Sequence, residues 1–247
     1  MSSTEHSDRP LAIVTGASRG IGRAVAEGFV ADDYTVILIA REPTRVALLA
    51  DQLNARGPGR GVACPIDVAD EHAVLEAIQA IAETHGRIDV LFNGAGVVHR
   101  GTSSIGDADQ RRFLETNLLG AMNLIRAVTP VMKQARSGYI IDVASRSAIY
   151  AKAGNGGYAA SKAALRAYGD ALYQELAKDG IKVTTLCPSY VDTEQSARQL
   201  WLPGDAKIPP LDIYESVRFL LALSRAASVK ELVIDCTHVV AHGEQYI

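Results

Sequence analysis

The stretch Leu11-Ala12-Ile13-Val14-Thr15-Gly16-Ala17-Ser18-Arg19-Gly20-Ile21-Gly22 decides the fold. Five β-branched or apolar residues run straight into three spaced glycines. An amphipathic stretch, 20–32, follows at once. Glycines in this place permit a tight turn and close approach of the backbone to a ligand. The helix beginning there offers unpaired N–H groups and the positive end of its dipole. The order is strand, glycine turn, helix, with the spacing Gly-x-x-x-Gly-x-Gly. Glycines alone mark any turn; set between a first strand and a first helix, they predict a site for a dinucleotide pyrophosphate. Gly16, Ser18, Arg19, Gly20, Ile21 and Gly22 are its candidate contacts.

Working outward, short apolar runs recur at 35–40, 61–66, 88–92, 138–144, 181–187 and 232–235. Most are apolar throughout, as expected of strands covered on both faces of a parallel sheet. Helical periodicity fills the intervals: 44–56, 71–85, one long stretch at 108–136, then 158–178 and 211–225. Strand–helix alternation predicts an α/β fold with a doubly wound parallel sheet and helices on both faces. The 247 residues suit one domain, expected over 10–247, with 1–9 a polar, frayed tail. Two irregular stretches, 94–107 and 189–210, follow strands, so both belong at the carboxyl edge of the sheet, where such folds bind ligands.

Composition excludes several classes. Hydrophobic residues make up 48% and charged residues 21%, which argues against disorder. A net charge of −3 gives no basic excess for nucleic acid or an acidic membrane. No apolar run approaches the roughly 18 residues of a bilayer span, and the polar start lacks the apolar centre of a secretory signal. The 3 cysteines, Cys64, Cys187 and Cys236, lie far apart in apolar surroundings and read as free thiols of a reducing compartment, hence a cytoplasmic protein.

The second strand indicates which dinucleotide. NAD-binding sites place an acid at its end for the ribose 2′-hydroxyl. Here the strand ends in Ala40-Arg41, and Glu42, one step further, is expected to point elsewhere. Either Arg19 or Arg41 read singly would pass for a solvated surface residue. Together with the missing acid they bracket a 2′-phosphate and favour NADP(H).

Further motifs follow in order: Asn93-Gly94-Ala95-Gly96, Asn117, Ser145, and Tyr158-Ala159-Ala160-Ser161-Lys162. Each has a plain structural reading when isolated. Tyr158 and Lys162 suit a helix surface, Asn117 a helix kink, Ser145 a strand end bonded to its own backbone. As an ordered set from Leu11 to Asp192 they resemble the short-chain dehydrogenase/reductase family. The resemblance implies a Rossmann-type fold and transfer of hydride between NADP(H) and a carbonyl or secondary alcohol.

The chemistry fits that implication. Tyr158 and Lys162 are four residues apart on a helix and share a face. An ammonium about 4 Å from the phenol is worth up to about 4 kcal/mol at an effective dielectric of 20, roughly three pKa units. The phenol is thus expected to fall toward working pH and act as general acid and base. Ser145 can bond the carbonyl oxygen as it gains charge. The resemblance further implies that Lys162 binds the nicotinamide ribose and Asn117 holds a relay water. It also implies that Asp67 and Val68 meet the adenine, that Asn93, Ala95 and Gly96 line the adenosine groove, and that Pro188, Val191 and Thr193 flank the nicotinamide. Where the family has Pro-Gly, this chain has Pro188-Ser189.

Loops after the fourth to sixth strands offer Val97, His99, Ser147, Ile149, Tyr150, Tyr190, Leu200, Trp201 and Leu202 as a mixed apolar and aromatic substrate lining for a small or medium carbonyl compound. One alternative is 3-oxoacyl-acyl-carrier-protein reductase, although the family's Asp-Gly-Gly tail reads Asp235-Cys236-Thr237 here. Another is a non-catalytic NADP(H)-binding regulator, which would be expected to lose Tyr158 or Lys162. Cys236, His238 and His242, with Glu244, have a spacing that could suit zinc; a strand end with a polar tail is the favoured reading, and no metal is expected. Small residues Ala160, Ala163, Ala164, Ala167 and Ala171 on the 158–178 helix, beside the apolar 118–131 stretch, match the family's two-fold helical interface. They imply a homodimer, extendable to a homotetramer.

Overall fold

The computed structural model describes residues 9–198 and 201–242. Seven strands form one parallel sheet in the order β3-β2-β1-β4-β5-β6-β7. They are β1 Leu11–Thr15, β2 Thr35–Ile39, β3 Arg60–Cys64, β4 Val90–Asn93, β5 Gly138–Val143, β6 Ile181–Pro188 and β7 Glu231–Ile234. Every β1 and β2 residue is buried, as the unbroken apolar runs require. The helices divide between two cores. Helices α1 (Gly20–Ala31), α2 (Pro43–Asn54) and α7 (Pro210–Ala222) pack on one face around Phe29, Leu38 and Phe92. Helices α3 (Glu71–His85), α5 (Gly120–Ala135) and α6 (Gly156–Leu176) cover the other around Ile13, Leu91 and Ile140. Gly28 lets α7 approach α1: a Cβ there would lie 2.2 Å from the Tyr214 ring.

Local signals account for the ends of elements. Asp70 caps α3 by accepting the Ala73 N–H at 3.0 Å, and Gly86 closes it with φ +70. Pro43 opens α2 at a position that needs no N–H donor.

The chain reverses its winding between β1 and β4. Thr15 at the end of β1 is paired with Ile39 on one side and Asn93 on the other. The crevice between these two strand ends is where an open α/β sheet takes its ligand.

Two expectations need correction. The stretch 108–136 is not one helix. Helix α4 (Asp107–Leu114) passes through a π-helical turn, Glu115–Leu119, into α5. Asn117 sits in that wide turn, and its amide clamps both backbone groups of Val97, which draws the turn toward the loop after β4. Nor is the end a plain polar tail: Thr237–His242 forms a short helix, α8, whose first turn is closed by Val239 and Val240 N–H donating to the Cys236 carbonyl.

Candidate active site

The glycine turn is fixed by backbone sterics. Gly16 has φ +67, and a Cβ on it would stand 2.9 Å from the Gly94 carbonyl oxygen. A Cβ on Gly22 would stand 2.3 Å from the Gly16 carbonyl oxygen. Neither position admits a side chain without moving backbone. Arg19 caps α1 without any side-chain bond to its N–H groups, so the helix start opens into the cleft unblocked by its own chain. This arrangement fits a pyrophosphate.

The cleft, about 1600 Å³ in volume, runs from this turn to both loop regions. Gly16, Ser18, Arg19, Gly20, Ile21, Gly22, Arg41, Asp67, Val68, Ala95 and Gly96 line its cofactor half. Arg41 lies 3.8 Å from Asp67 and Arg19 lies 3.7 Å from Glu194, so both guanidiniums are on the cleft wall with half their surface free. Glu42, expected to turn away, also lines the cleft, because the chain turns sharply into α2 at Pro43 and keeps residue 42 at the sheet edge.

Asn93 is placed differently from expectation. Its side chain does not reach the cleft but is buried in the sheet, donating from Nδ2 to Asp142 Oδ1 at 2.8 Å. The reason is register: Asn93 ends β4 beside Asp142 on β5, and the two side chains fall on the same buried face.

Ser145, Tyr158 and Lys162 converge on the cleft floor. Ser145 follows the end of β5 and accepts the Ser147 N–H at 3.1 Å, in a turn that aims its hydroxyl outward. The Tyr158 hydroxyl hydrogen-bonds the Ser145 side chain. Lys162 is nearly buried and donates from Nζ to the Val143 carbonyl at 2.6 Å. Asn117 lies one layer below the floor, fully buried. It accepts the Val97 N–H at 2.8 Å and donates to the Val97 carbonyl and to Ser161 Oγ, both at 3.0 Å. Ser161 passes the chain on to the Tyr158 carbonyl at 2.7 Å.

The electrostatics depart from the expected lowering of the phenol. Burial raises Tyr158 above the ordinary tyrosine range, against a smaller downward pull from Ser145. Lys162 is itself held down to about 8 by burial, with Asp142 opposing that shift. Burial likewise pushes Asp142 up to about 6, although Asn93 and Lys162 favour its charge, and one of its oxygens has no partner. Cys187, behind Ser145, is pushed by burial to about 11 and remains a neutral thiol. Desolvation thus outweighs pairing at each of these groups.

At the other end of the cleft, Val97, His99, Ser147, Tyr150, Tyr190 and Trp201 form the wall. Tyr190 and Trp201 meet edge to face at 5.3 Å between centroids. Ile149 is exposed and Leu202 buried, and neither lines the cleft; Leu200 lies outside the described residues. Pro188, Val191 and Thr193 complete the edge beside Gly20, where Thr193 Cγ2 would touch an added Cβ at 3.2 Å.

The proposed zinc spacing does not come together. Cys236 points inward and donates to the Ala206 carbonyl at 3.0 Å, whereas His238 and His242 stack on each other along α8 at 4.2 Å. Glu244 lies outside the described residues. Among the described residues no group of three or more His, Cys, Asp or Glu is arranged to hold a metal, and no helix is long and apolar enough to cross a membrane.

Comparison with known proteins agrees with this geometry. The family model described as short chain dehydrogenase matches residues 10–200. The chain is a short-chain dehydrogenase/reductase. An uncharacterised oxidoreductase of Staphylococcus saprophyticus is 32% identical over 225 residues, covering 91% of this chain and 96% of that one. A β-ketoacyl-acyl-carrier-protein reductase from Bacteroides thetaiotaomicron superposes with TM-score 0.83 at 32% identity, over 95% of this chain and 100% of that one. An alcohol dehydrogenase from Thermococcus sibiricus, complexed with 5-hydroxy-NADP, also gives TM-score 0.83, at 27% identity, over 92% and 96% of the two chains.

Within this short-chain dehydrogenase/reductase, some cleft residues were not singled out from the sequence. Arg45, in the first turn of α2, joins Arg41, which precedes that helix, at the same end of the cleft. Arg100, Arg146 and Lys152 stand on the opposite rim. Arg100 comes from the connection after β4 and the other two from that after β5, so no spacing in the sequence connects Arg100 to them. Asp142 gave no signal, since a single acid in an apolar strand does not reveal which face it takes.

Proposed function

We propose that this oxidoreductase is an NADPH-dependent carbonyl reductase, working reversibly on the corresponding secondary alcohol. The observation that carries the reading is the meeting of the Ser145 and Tyr158 hydroxyls on the cleft floor, with Lys162 beside them. Bound NADPH supplies the hydride. Gly16, Gly20 and the start of α1 would hold its pyrophosphate, while Arg19, Arg41 and Arg45 would face the 2′-phosphate. Ser145 bonds the carbonyl oxygen as it gains charge. Tyr158 gives that oxygen its proton, and its raised pKa keeps the phenol protonated for reduction. Lys162 holds positive charge beneath the reacting oxygen. Asn117 and Ser161 link the α6 backbone at Tyr158 to the loop at Val97, and so position the phenol. Pro188, Val191 and Thr193 would bound the nicotinamide side.

A 3-oxoacyl-acyl-carrier-protein reductase is the second reading, favoured by the likeness to the Bacteroides enzyme over that enzyme's whole length. NADPH oxidation on a panel of ketones, aldehydes and acyl thioesters tests both. Turnover on simple carbonyls supports the first reading; turnover confined to thioesters supports the second. Tight NADPH binding with no turnover on any compound would instead mark a cofactor-sensing regulator.

A further inference from the structure

The cleft carries a charge asymmetry that hydride transfer to a simple ketone does not require. Its acids are Glu42 and Asp67 at the adenosine end and Glu194, which faces Arg19. The substrate rim has cations from two connections of the chain: Arg100 after β4, and Arg146 and Lys152 between β5 and α6. They are gathered deliberately by the backbone. Gly101 N–H donates to the Gly154 carbonyl at 2.8 Å, and Gly156 N–H donates to Thr102 Oγ1 at 3.0 Å. These bonds join the loop bearing Arg100 to the loop bearing Lys152. Asn155 donates to Ser147 Oγ at 3.2 Å and joins the Arg146 turn to the same rim.

The cations converge on Tyr190. Lys152 Nζ lies 5.6 Å from its ring centroid, and Arg146 and Arg100 both act electrostatically on its phenol. Arg146 is held from two sides, 6.0 Å over the Tyr150 ring and 2.5 Å through Nε from Asp235 Oδ1. Its orientation is therefore fixed before any ligand arrives. Asp235 offsets the charge of Arg146, but the three cations outnumber that one acid and focus a positive potential into the cleft, which draws an anion.

Resting on the reductase reading, we infer that the substrate is a carbonyl compound bearing an anionic group, held by Arg146 and Lys152. Arg146 directly follows Ser145, and adjacent Cα atoms are about 3.8 Å apart. The anion then sits within one arginine side chain's reach of the carbonyl, as in a short oxo acid, and Tyr150, Tyr190 and Trp201 line the same part of the cleft. Carboxylate and phosphonate share the required chemistry.

Matched pairs test this. The rate of NADPH oxidation is measured with 4-oxopentanoate against its methyl ester, 4-oxo-4-phenylbutanoate against its methyl ester, and 2-oxopropylphosphonate against its dimethyl ester. The expected result is a kcat/KM at least tenfold higher for the anion in one carboxylate pair or in the phosphonate pair, and which pair shows it names the anion. Arg146→Met and Lys152→Met should lower the anion's kcat/KM at least tenfold more than the ester's, through KM, while Arg146→Lys restores part of the ratio. Esters used as well as or better than all three anions would overturn the inference. If nothing is reduced, the reductase reading fails, and calorimetry on the NADPH-loaded protein still decides the subsite. Benzoate binding at least tenfold tighter than benzamide, lost in Arg146→Met, upholds it; equal binding overturns it.

Discussion

The two ends of the cleft are built from different materials. At the cofactor end the contacts are backbone: Gly16 against Gly94, Gly22 against Gly16, and the uncapped start of α1. At the substrate end they are side chains on loops: Arg146 from the turn after β5, Lys152 before α6, Tyr190 and Trp201 after β6. A site made of backbone tolerates almost no change in residue type at its glycines. A site made of side chains can change specificity by single substitutions while the sheet beneath stays the same. Ser145, Tyr158 and Lys162 line the same cleft between the two.

The sharpest way to break this division is at its middle. Tyr158→Phe removes one hydroxyl and should lower kcat by about 10²–10⁴-fold, while NADPH affinity, read by fluorescence titration, stays within a few-fold. Retention of more than about a tenth of the activity would remove Tyr158 from the acid role.

At the cofactor end, Arg41→Asp should lower kcat/KM for NADPH by about 10–100-fold, the size expected for losing a charge-assisted bond. NADH use should change far less. Steady-state rates with both cofactors measure the ratio; an equal loss with each would show that Arg41 supports structure and does not read the 2′-phosphate.

Charge beneath the floor gives a pH test. Lys162 should lose its proton near pH 8, so reduction should fall as pH rises through that value. Asp142→Asn removes the group that favours the ammonium and should move this limb to lower pH. Stability carries a second sign. Asp142 is raised from 3.8 to about 6 in the folded protein, so the folded state binds this proton more tightly than the unfolded chain. Its contribution is most favourable below the unfolded value and is lost as pH rises through about 6, by on the order of 1–3 kcal/mol. Asp142→Asn should therefore flatten the Tm profile between pH 4 and about 6. An unchanged profile would mean that Asp142 is not the group responsible.

The smallest effect on chemistry is expected at assembly. Ala160, Ala167 and Ala171 lie exposed along α6, with Leu114 and Leu119 exposed on the neighbouring α4 segment and π-turn. This face suits a second copy of the chain in a two-fold dimer. Light scattering at micromolar concentration should give twice the chain mass, and Ala164→Arg should halve it by placing a charge in a dry contact. A monomer in the unsubstituted protein would reject the dimer.

Much of the cofactor end was legible because glycine spacing, an absent acid and an arginine are local properties of a strand–turn–helix. The Tyr-x-x-x-Lys pair was legible for the same reason, since helical geometry converts a spacing of four into a shared face. Asn93 was misplaced because which face a strand-end residue takes depends on its register with Asp142. The direction of the Tyr158 shift was also missed, because a spacing cannot show that Lys162 is bonded to Val143 and starved of solvent.

By itself, then, the sequence determined the parallel sheet, the glycine turn into α1 and the helical face that Tyr158 shares with Lys162, all of which follow from short-range periodicity and steric allowance. Only the tertiary structure decided that Asn117 would open a π-turn to grip Val97, that Asp142 would lie buried beneath Lys162, and that Arg100, Arg146 and Lys152 would share one rim. Those outcomes depend on contacts between segments far apart in the chain, where burial and long-range pairing override local preference.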